Sequence, residues 1–338
     1  MKLCLPEGHP MKHTTLKLFF VIVSVALCQS VCPSFVDAAT TREIVFTSTR
    51  DGNKEIYVMN SDGSKQVNLT RHRADDFDPT WSPDRTRILF VSDRAARVRD
   101  LYLMDADGTN VRRVFRRIKH REQPTWSPDG RFIAYVTPEE NAIKIATATG
   151  HAERHLTLTS WGGVNPEWSP DGSEIAYDWK ASGNMRLINV NTKAPRVLLP
   201  ELQKFIRWQP AWSPTGDRLA FAALKWPENH VGALRVDTKL SLYIANRDGT
   251  RVKHLVKEPI VNHPTWSTDG SEILYEKRFD DARRERQLFK ISVEGGRPQQ
   301  LTSKGSNYQA DWLPDNTPLP VEPTTSSLTT VWGKMKRE

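Results

Sequence analysis

Cysteine is nearly absent from this chain of 338 residues, because its three cysteines, Cys4, Cys28 and Cys32, all lie within the first forty residues. If that segment is removed from the mature protein, no cysteine remains. Disulfide bonds, thiolate catalysis and zinc sites with cysteine ligands are then excluded. We therefore expect packing alone to stabilise the mature chain.

A hydrophobic run long enough to span a membrane is also missing. The apolar stretch LFFVIVSVALC, residues 18–28, is shorter than the roughly 20 residues that a bilayer requires. Lys12 and Lys17 precede it, and the segment ending at Ala38 offers small residues for cleavage. Residues 1–38 are therefore predicted to be a secretory signal peptide that is cleaved near Ala38, so that the mature protein is periplasmic or secreted.

This leader leaves two alternatives open. A lipoprotein anchor would use Cys28 or Cys32, although Leu27 and Val31 stand where such signals prefer a small residue. Translation starting at Met11 would give a signal of ordinary length.

Enzyme signatures are scarce as well. The chain has no GxSxG nucleophile elbow. HAERH, residues 151–155, falls at a turn into a predicted strand, where its two histidines would be about 13 Å apart, too far for one zinc ion. The loop DADGT lacks the ligand spacing of a calcium-binding hand. No catalytic residue, metal site or cofactor is therefore predicted.

What the chain does contain is a repeated tryptophan motif. It reads WSPD, WSPDG, WSPDG, WSPTG, WSTDG and WLPDN, and its tryptophans are Trp81, Trp126, Trp168, Trp212, Trp266 and Trp312. The spacings are 45, 42, 44, 54 and 46 residues. This period is typical of a four-stranded propeller blade rather than of a helical repeat.

Alternating apolar runs follow each motif, such as IAYVT from Ile133 and ILYEKR from Ile273, and SPDG and DG segments supply the turns between strands. The first copy, from Arg42, has three strands but no tryptophan strand, while the Trp312 strand has none after it. We therefore predict an all-β, six-bladed propeller over residues 39–313, built from four-stranded antiparallel blades. Pairing the C-terminal tryptophan strand with the N-terminal three strands would close it and remove its open sheet edges.

These motifs resemble the TolB-type propeller repeat, which is related to WD repeats. The resemblance runs from about Arg42 to Leu313 and covers the propeller alone, without the α/β domain that precedes it in TolB. It implies a role in the bacterial envelope and a tryptophan strand that lines the central channel of the ring. Residues 314–338 are rich in proline, threonine and serine and are predicted to form a flexible tail.

A polar residue stands three positions before each repeat tryptophan. These residues are Asp78, Gln123, Asn165, Gln209, His263 and Gln309. Five precede a proline, which predicts extended backbone, and the ring symmetry should gather all six at the mouth of the channel. They would either bind a ligand or partner loop, or be polar merely because the channel holds water.

Large aromatic residues, Phe77, Trp208 and Tyr308, come one position earlier in three of the repeats. Exposed aromatic side chains beside polar groups are typical of protein or sugar recognition, so these three are candidate partner-binding residues. Packing against a neighbouring loop is the alternative.

Arginines are frequent in the loops predicted on the same face. The candidates for anion binding are Arg97, Arg99, Arg116, Arg117, Arg121, Arg283 and Arg284. The formal net charge of +8 agrees with an anionic partner, but a predicted export signal argues against nucleic acid. Acidic neighbours such as Asp280 leave a solvated, charge-balanced surface as the other interpretation.

Together these features predict an exported, non-catalytic and monomeric propeller that binds a protein or another envelope partner at the channel mouth. A metal-dependent propeller enzyme, such as a polysaccharide lyase or hydrolase, is the alternative. It would use His263 with loop histidines such as His72, His120 and His230. An anionic glycan-binding protein is a third interpretation.

Overall fold

The computed structural model describes residues 43–157, 163–179, 184–200, 205–225, 240–257, 260–279 and 285–313. Within these residues, twenty-four strands form six four-stranded antiparallel sheets, and one short 3-10 helix spans Pro138–Glu140. The predicted all-β, six-bladed propeller is therefore confirmed. The predicted signal peptide and the predicted tail lie outside the described residues.

The blades are numbered from the N-terminus. The innermost strands of blades 1 to 6 are β24 (Asn307–Trp312), β4 (Asp76–Trp81), β8 (Glu122–Trp126), β12 (Gly163–Trp168), β16 (Phe205–Trp212) and β20 (Val261–Trp266). The second strands are β1 (Ile44–Ser48), β5 (Arg87–Ala95), β9 (Phe132–Thr137), β13 (Glu174–Trp179), β17 (Arg218–Lys225) and β21 (Glu272–Arg278).

The third strands are β2 (Glu55–Met59), β6 (Val98–Asp105), β10 (Ala142–Thr147), β14 (Asn184–Asn189), β18 (Ser241–Asn246) and β22 (Arg286–Ser292). The outermost strands are short. They are β3 (Val67–Asn68), β7 (Arg112–Arg113), β11 (Arg154–His155), β15 (Pro195–Val197), β19 (Lys253–Val256) and β23 (Gln299–Gln300).

The hydrophobic core lies between neighbouring blades. Successive side chains of a strand point to opposite faces of its sheet. On β1, Ile44 and Phe46 accordingly pack in a cluster with Leu274 and Leu288 of blade 6, whereas Val45 packs in a cluster with residues of blade 2. Both faces of a blade are covered in this way, which explains why the middle of each second strand is apolar.

The turn after each repeat tryptophan follows the predicted chemistry. In the third blade, Ser127 Oγ donates to Asp129 Oδ1 at 2.6 Å, and Gly130 adopts the left-handed backbone with φ 68°. In blade 2 the same position is held by Arg85, with φ 62°. The turn therefore imposes the left-handed conformation even where no glycine is present to favour it.

The ring closes as the terminal repeats predict. Ile44 pairs with Trp312 and Ser48 pairs with Asn307 across β1 and β24. The backbone N–H of Leu313 also donates to the carbonyl of Glu43 at 2.6 Å. Blade 1 is thus assembled from both ends of the propeller sequence.

No helix within the described part of the chain is long and apolar enough to cross a membrane.

Candidate functional site

Each innermost strand carries a β-bulge at the same place, three residues before its tryptophan. In blade 2, Phe77 pairs with Val91 and Thr80 pairs with Leu89, so the inner strand has one residue more than its partner between these pairs. The extra residue has positive φ in all six blades, namely 57° at Asp78, 54° at Gln123, 50° at Asn165, 57° at Gln209, 43° at His263 and 49° at Gln309. The expectation of extended backbone at these positions is therefore wrong, because the bulges of this propeller place their inserted residue in the left-handed conformation.

The bulges bring the six polar residues together around one cavity of about 130 Å³ on the propeller axis. A second set of side chains, one position before each tryptophan, lines the same cavity. This set consists of Thr80, Thr125, Glu167, Ala211, Thr265 and Asp311. We call the first set the bulge ring and the second set the lower ring. The cavity has room for a few water molecules or the tip of one side chain.

The bulge ring is linked by hydrogen bonds that run from blade to blade. The backbone N–H of Gln123 donates to Asp78 Oδ2 at 2.9 Å, and that of Asn165 donates to Gln123 Oε1 at 2.9 Å. The backbone N–H of His263 donates to Gln209 Oε1 at 2.8 Å. A bulge leaves its extra N–H without a ladder partner, and here the side chain of the preceding blade supplies the acceptor.

Two carboxylates on second strands, Asp178 and Glu276, complete the links. Asp178 accepts from the backbone N–H of Gln209 at 2.9 Å and from the Asn165 amide at 2.7 Å. Glu276 Oε1 accepts from the backbone N–H of Gln309 at 2.6 Å and lies 2.8 Å from His263 Nδ1. Sequence reasoning missed both residues, although a single acid inside each of the apolar runs IAYDW and ILYEK was a usable signal.

Gln309 is the member of the bulge ring whose side chain does not join these links. Its amide forms no hydrogen bond within the described residues, and its oxygen Oε1 is buried without a donor. The next bulge N–H along the ring, that of Asp78, donates instead to Thr47 Oγ1 at 3.1 Å. The amide of Gln309 is therefore left unpaired at the channel mouth.

Burial dominates the acid–base properties of the channel. It raises the pKa of Asp78 to about 6, that of Asp311 to about 6 and that of Asp178 to about 7. Burial, with a smaller contribution from the negative charge of Asp311, raises the pKa of Glu167 to about 8. Burial opposes a charged imidazole at His263, but the adjacent Glu276 carboxylate outweighs it and raises the pKa of the histidine.

The three aromatic candidates do not line this cavity. Phe77 is 7% exposed and packs in the core between blades 2 and 3, with Lys54 Nζ 4.5 Å from its ring centre. Its interpretation as an exposed contact residue is wrong, because its side chain faces the neighbouring blade. Tyr308 is half-buried against the Arg286 guanidinium at 5.2 Å, and Trp208 is also half-buried.

The arginine candidates that the structure describes fall into three groups. Arg121 is 2% exposed, pairs with Asp100 at 2.9 Å and lies 3.8 Å from the Phe115 ring centre, so its assignment to an anion site is wrong. Its charge is neutralised inside the protein. Arg99 is exposed but pairs with Glu122 at 3.3 Å. Arg97, Arg116 and Arg117 are exposed, whereas Arg283 and Arg284 lie outside the described residues.

The histidines of the enzyme alternative are dispersed. His72 Nδ1 accepts from the backbone N–H of Ala74 at 3.0 Å, and His120 lies between Glu139 and Glu122 at 3.0 and 3.4 Å. His230 is outside the described residues. Within the residues that the structure describes, no group of three or more histidine, cysteine or acidic side chains is placed to hold a metal ion.

Comparison with known proteins gives the same architecture. A family model for the TolB beta propeller domain matches residues 22–215 and 164–331. A segment of 42 residues, 12% of this chain, is 50% identical to the Tol-Pal system protein TolB of Geobacter sulfurreducens, and the match spans only 10% of that relative.

Solved structures share the fold, among them the following two. TolB from Acinetobacter baumannii matches with a TM-score of 0.67 at 16% identity, over 90% of this chain and 74% of that one. A chain of a nidogen/laminin complex matches with a TM-score of 0.59 at 11% identity, over 80% of this chain and 97% of that one. At such identities the likeness shows the fold alone.

Proposed function

This chain belongs to the TolB β-propeller family, and from that premise we propose that it is an exported, non-catalytic protein that binds a partner protein at the mouth of its channel. The partner would be a component of the bacterial envelope. A family shared with a Tol-Pal system protein and a predicted leader at residues 1–38 support this location.

The unpaired amide of Gln309 is the observation that carries the proposal. Five members of the bulge ring use their side chains on neighbouring groups, whereas the amide oxygen of Gln309 is buried without a donor in the described part of the chain. A primary amide matches the donor and acceptor of a peptide group. The loop of another protein is therefore a suitable ligand for this position.

The shape and chemistry of the mouth favour a small insertion rather than a broad contact. The cavity of about 130 Å³ admits only the tip of a loop. His263 and Asp78 stand on the blades on either side of Gln309 and offer further polar contacts. We expect the loop tip to bind among these three residues.

A Gln309→Ala variant tests the proposal without breaking the ring. Replacing Gln123 or Gln209 would remove acceptors for backbone N–H groups and would confuse binding with stability. Gln309→Ala removes no hydrogen bond within the described structure. The matched control is Gln299→Ala, an exposed residue on the outermost strand of blade 6.

The assay is recovery of one partner from an envelope fraction, followed by titration of that partner. We expect Gln309→Ala to weaken its binding about tenfold, the effect of losing one or two hydrogen bonds. Gln299→Ala should bind normally. Equal affinity for the two variants, at equal melting temperatures, would show that the partner does not use the channel mouth.

A further inference from the structure

Five exposed arginines on blades 1 to 3 form no ion pair within the described residues. They are Arg71, Arg73, Arg97, Arg116 and Arg117. We call them the arginine arc. Five arginines without ion pairs on adjacent loops give this part of the surface a net positive field.

Four acids near the arginine arc are already engaged by other cations. Asp75 pairs with Lys54 at 3.1 Å, Asp76 with Arg94 at 2.7 Å, Asp100 with Arg121 at 2.9 Å and Glu122 with Arg99 at 3.3 Å. Because these carboxylates are neutralised by partners outside the arc, they do not cancel its charge. Two further acids remain close to the arc: Asp51 lines the same groove as Arg71, and Asp93 lies on β5, before the hairpin tip that carries Arg97. Five arginines against these two acids leave the surface net positive.

All five arginines lie at the mouth end of the propeller. Arg71 and Arg73 are in the loop from β3 to β4, Arg97 is at the tip of the β5–β6 hairpin, and Arg116 and Arg117 are in the loop from β7 to β8. The loops before β4 and β8 are each hydrogen-bonded to the β5–β6 hairpin. The backbone N–H of Asp75 donates to Asp93 Oδ1 at 3.0 Å, and that of Arg121 donates to the carbonyl of Arg99 at 3.0 Å.

Ile118 adds an apolar group to this basic surface. Its side chain is 41% exposed, which makes it the most exposed large hydrophobic residue that the structure describes. It stands between Arg117 and the exposed Lys119 in the loop from β7 to β8. Water-facing isoleucine is unfavourable, whereas an apolar side chain flanked by cations suits the boundary between lipid headgroups and acyl chains.

We propose that the arginine arc and Ile118 form a docking surface for a bilayer that carries anionic phospholipids. The arginines would lie against phosphate groups, and Ile118 would enter the interfacial layer between them. This surface is on the rim of blades 1 to 3, whereas the proposed partner site centres on Gln309. The lipid surface therefore does not depend on that site.

A vesicle-binding assay on the mature chain tests this inference. The probes are vesicles of phosphatidylcholine alone and vesicles in which a third of the lipid is phosphatidylglycerol. The test variant changes Arg97, Arg116 and Arg117 to glutamine. The matched control changes Lys65, Lys193 and Arg251 to glutamine, which alters the net charge equally at exposed loops between third and outermost strands, at the other end of the blades.

We expect binding to the anionic vesicles only, with a partition coefficient about a hundredfold lower for the arc variant and nearly unchanged for the control. Ile118→Ser, made alone, should also weaken binding to the anionic vesicles. Added salt should weaken binding of the unchanged protein strongly. Gln309→Ala should bind vesicles normally, which separates failure here from failure at the channel mouth.

Two results would overturn the proposal. Equal losses in the arc and control variants would show that only the net charge of the protein matters. Binding to a dissolved acidic polysaccharide that matches vesicle binding, with no effect of Ile118→Ser, would show that the surface recognises anionic glycans instead.

Discussion

Replacing Glu167 with glutamine should stabilise the propeller in mild alkali and have little effect in mild acid. The carboxyl of Glu167 lines the central cavity on the lower ring, and burial with the charge of Asp311 raises its pKa to about 8 from an ordinary value of 4.5. Because the folded state holds this proton more tightly than the unfolded state, the contribution of Glu167 to the free energy of unfolding is greatest in acid. It falls as the pH rises from about 4.5 to about 8.

The size of the effect follows from the shift. One pKa unit corresponds to about 1.4 kcal/mol, so the shift sets an upper limit of roughly 5 kcal/mol on the cost of ionising Glu167. Partial access to the channel screens the charge, which reduces our expectation to about 2 kcal/mol at pH 8. For a domain of this size that is a rise in melting temperature of about 5 °C in the glutamine variant.

Thermal unfolding of the two proteins at about pH 5 and about pH 8 measures the difference. Near pH 5 the two melting temperatures should agree within about 1 °C, because ionisation of Glu167 then costs well under 1 kcal/mol. The control is Glu294→Gln, an acid whose side chain is 89% exposed and for which no pH-dependent gain is expected. A gain of equal size at both pH values would refute the reasoning, since it would arise from packing rather than from the buried charge.

Two further variants test the charges that hold the blades together. Arg121→Ala should lower the free energy of unfolding by about 3–5 kcal/mol, because it leaves Asp100 buried without its cation, and denaturant titration measures this loss. A smaller loss than that of the exposed Arg112→Ala would contradict a structural role for Arg121. Asp178→Ala should lower the free energy of unfolding by about 2–3 kcal/mol, because it removes the acceptor of the Gln209 N–H. Asp178→Asn keeps an oxygen acceptor and should therefore retain most of the stability. Equal losses for Asp178→Ala and Asp178→Asn would show that this hydrogen bond is unimportant.

The fold was predictable because its determinants repeat. Six tryptophan motifs at a blade-like period, and an N-terminal repeat that lacks its tryptophan strand, are sufficient to predict six blades closed between Ile44 and Trp312. The polar residues around the channel were identified for the same reason. Symmetry carries an equivalent residue of each blade to the same distance from the axis.

What was not predictable depends on contacts that do not repeat. The proline after Gln123 suggested extended backbone, but the bulge sets a positive φ, because register is decided by pairing with the second strand. Arg121 belongs to a run of basic residues that reads as a charged surface. Its burial depends on contacts with Asp100, on β6, and with Phe115, in the loop after β7. Such pairings cannot be inferred from local spacing.

The asymmetry of the bulge ring follows from the residue at one position of the second strands. Each bulge exposes one N–H that needs an acceptor, and in blades 3, 4 and 6 the acceptor is the ring side chain of the preceding blade. In blades 5, 1 and 2 the acceptor is a side chain on the second strand of the preceding blade, namely Asp178, Glu276 and Thr47. Asn165, His263 and Gln309 therefore do not accept from the next bulge N–H. Asn165 and His263 instead contact the second-strand carboxylates Asp178 and Glu276 of their own blades. In blade 1 that second-strand position is held by Thr47, whose hydroxyl accepts from Asp78, so no carboxylate is available to the Gln309 amide.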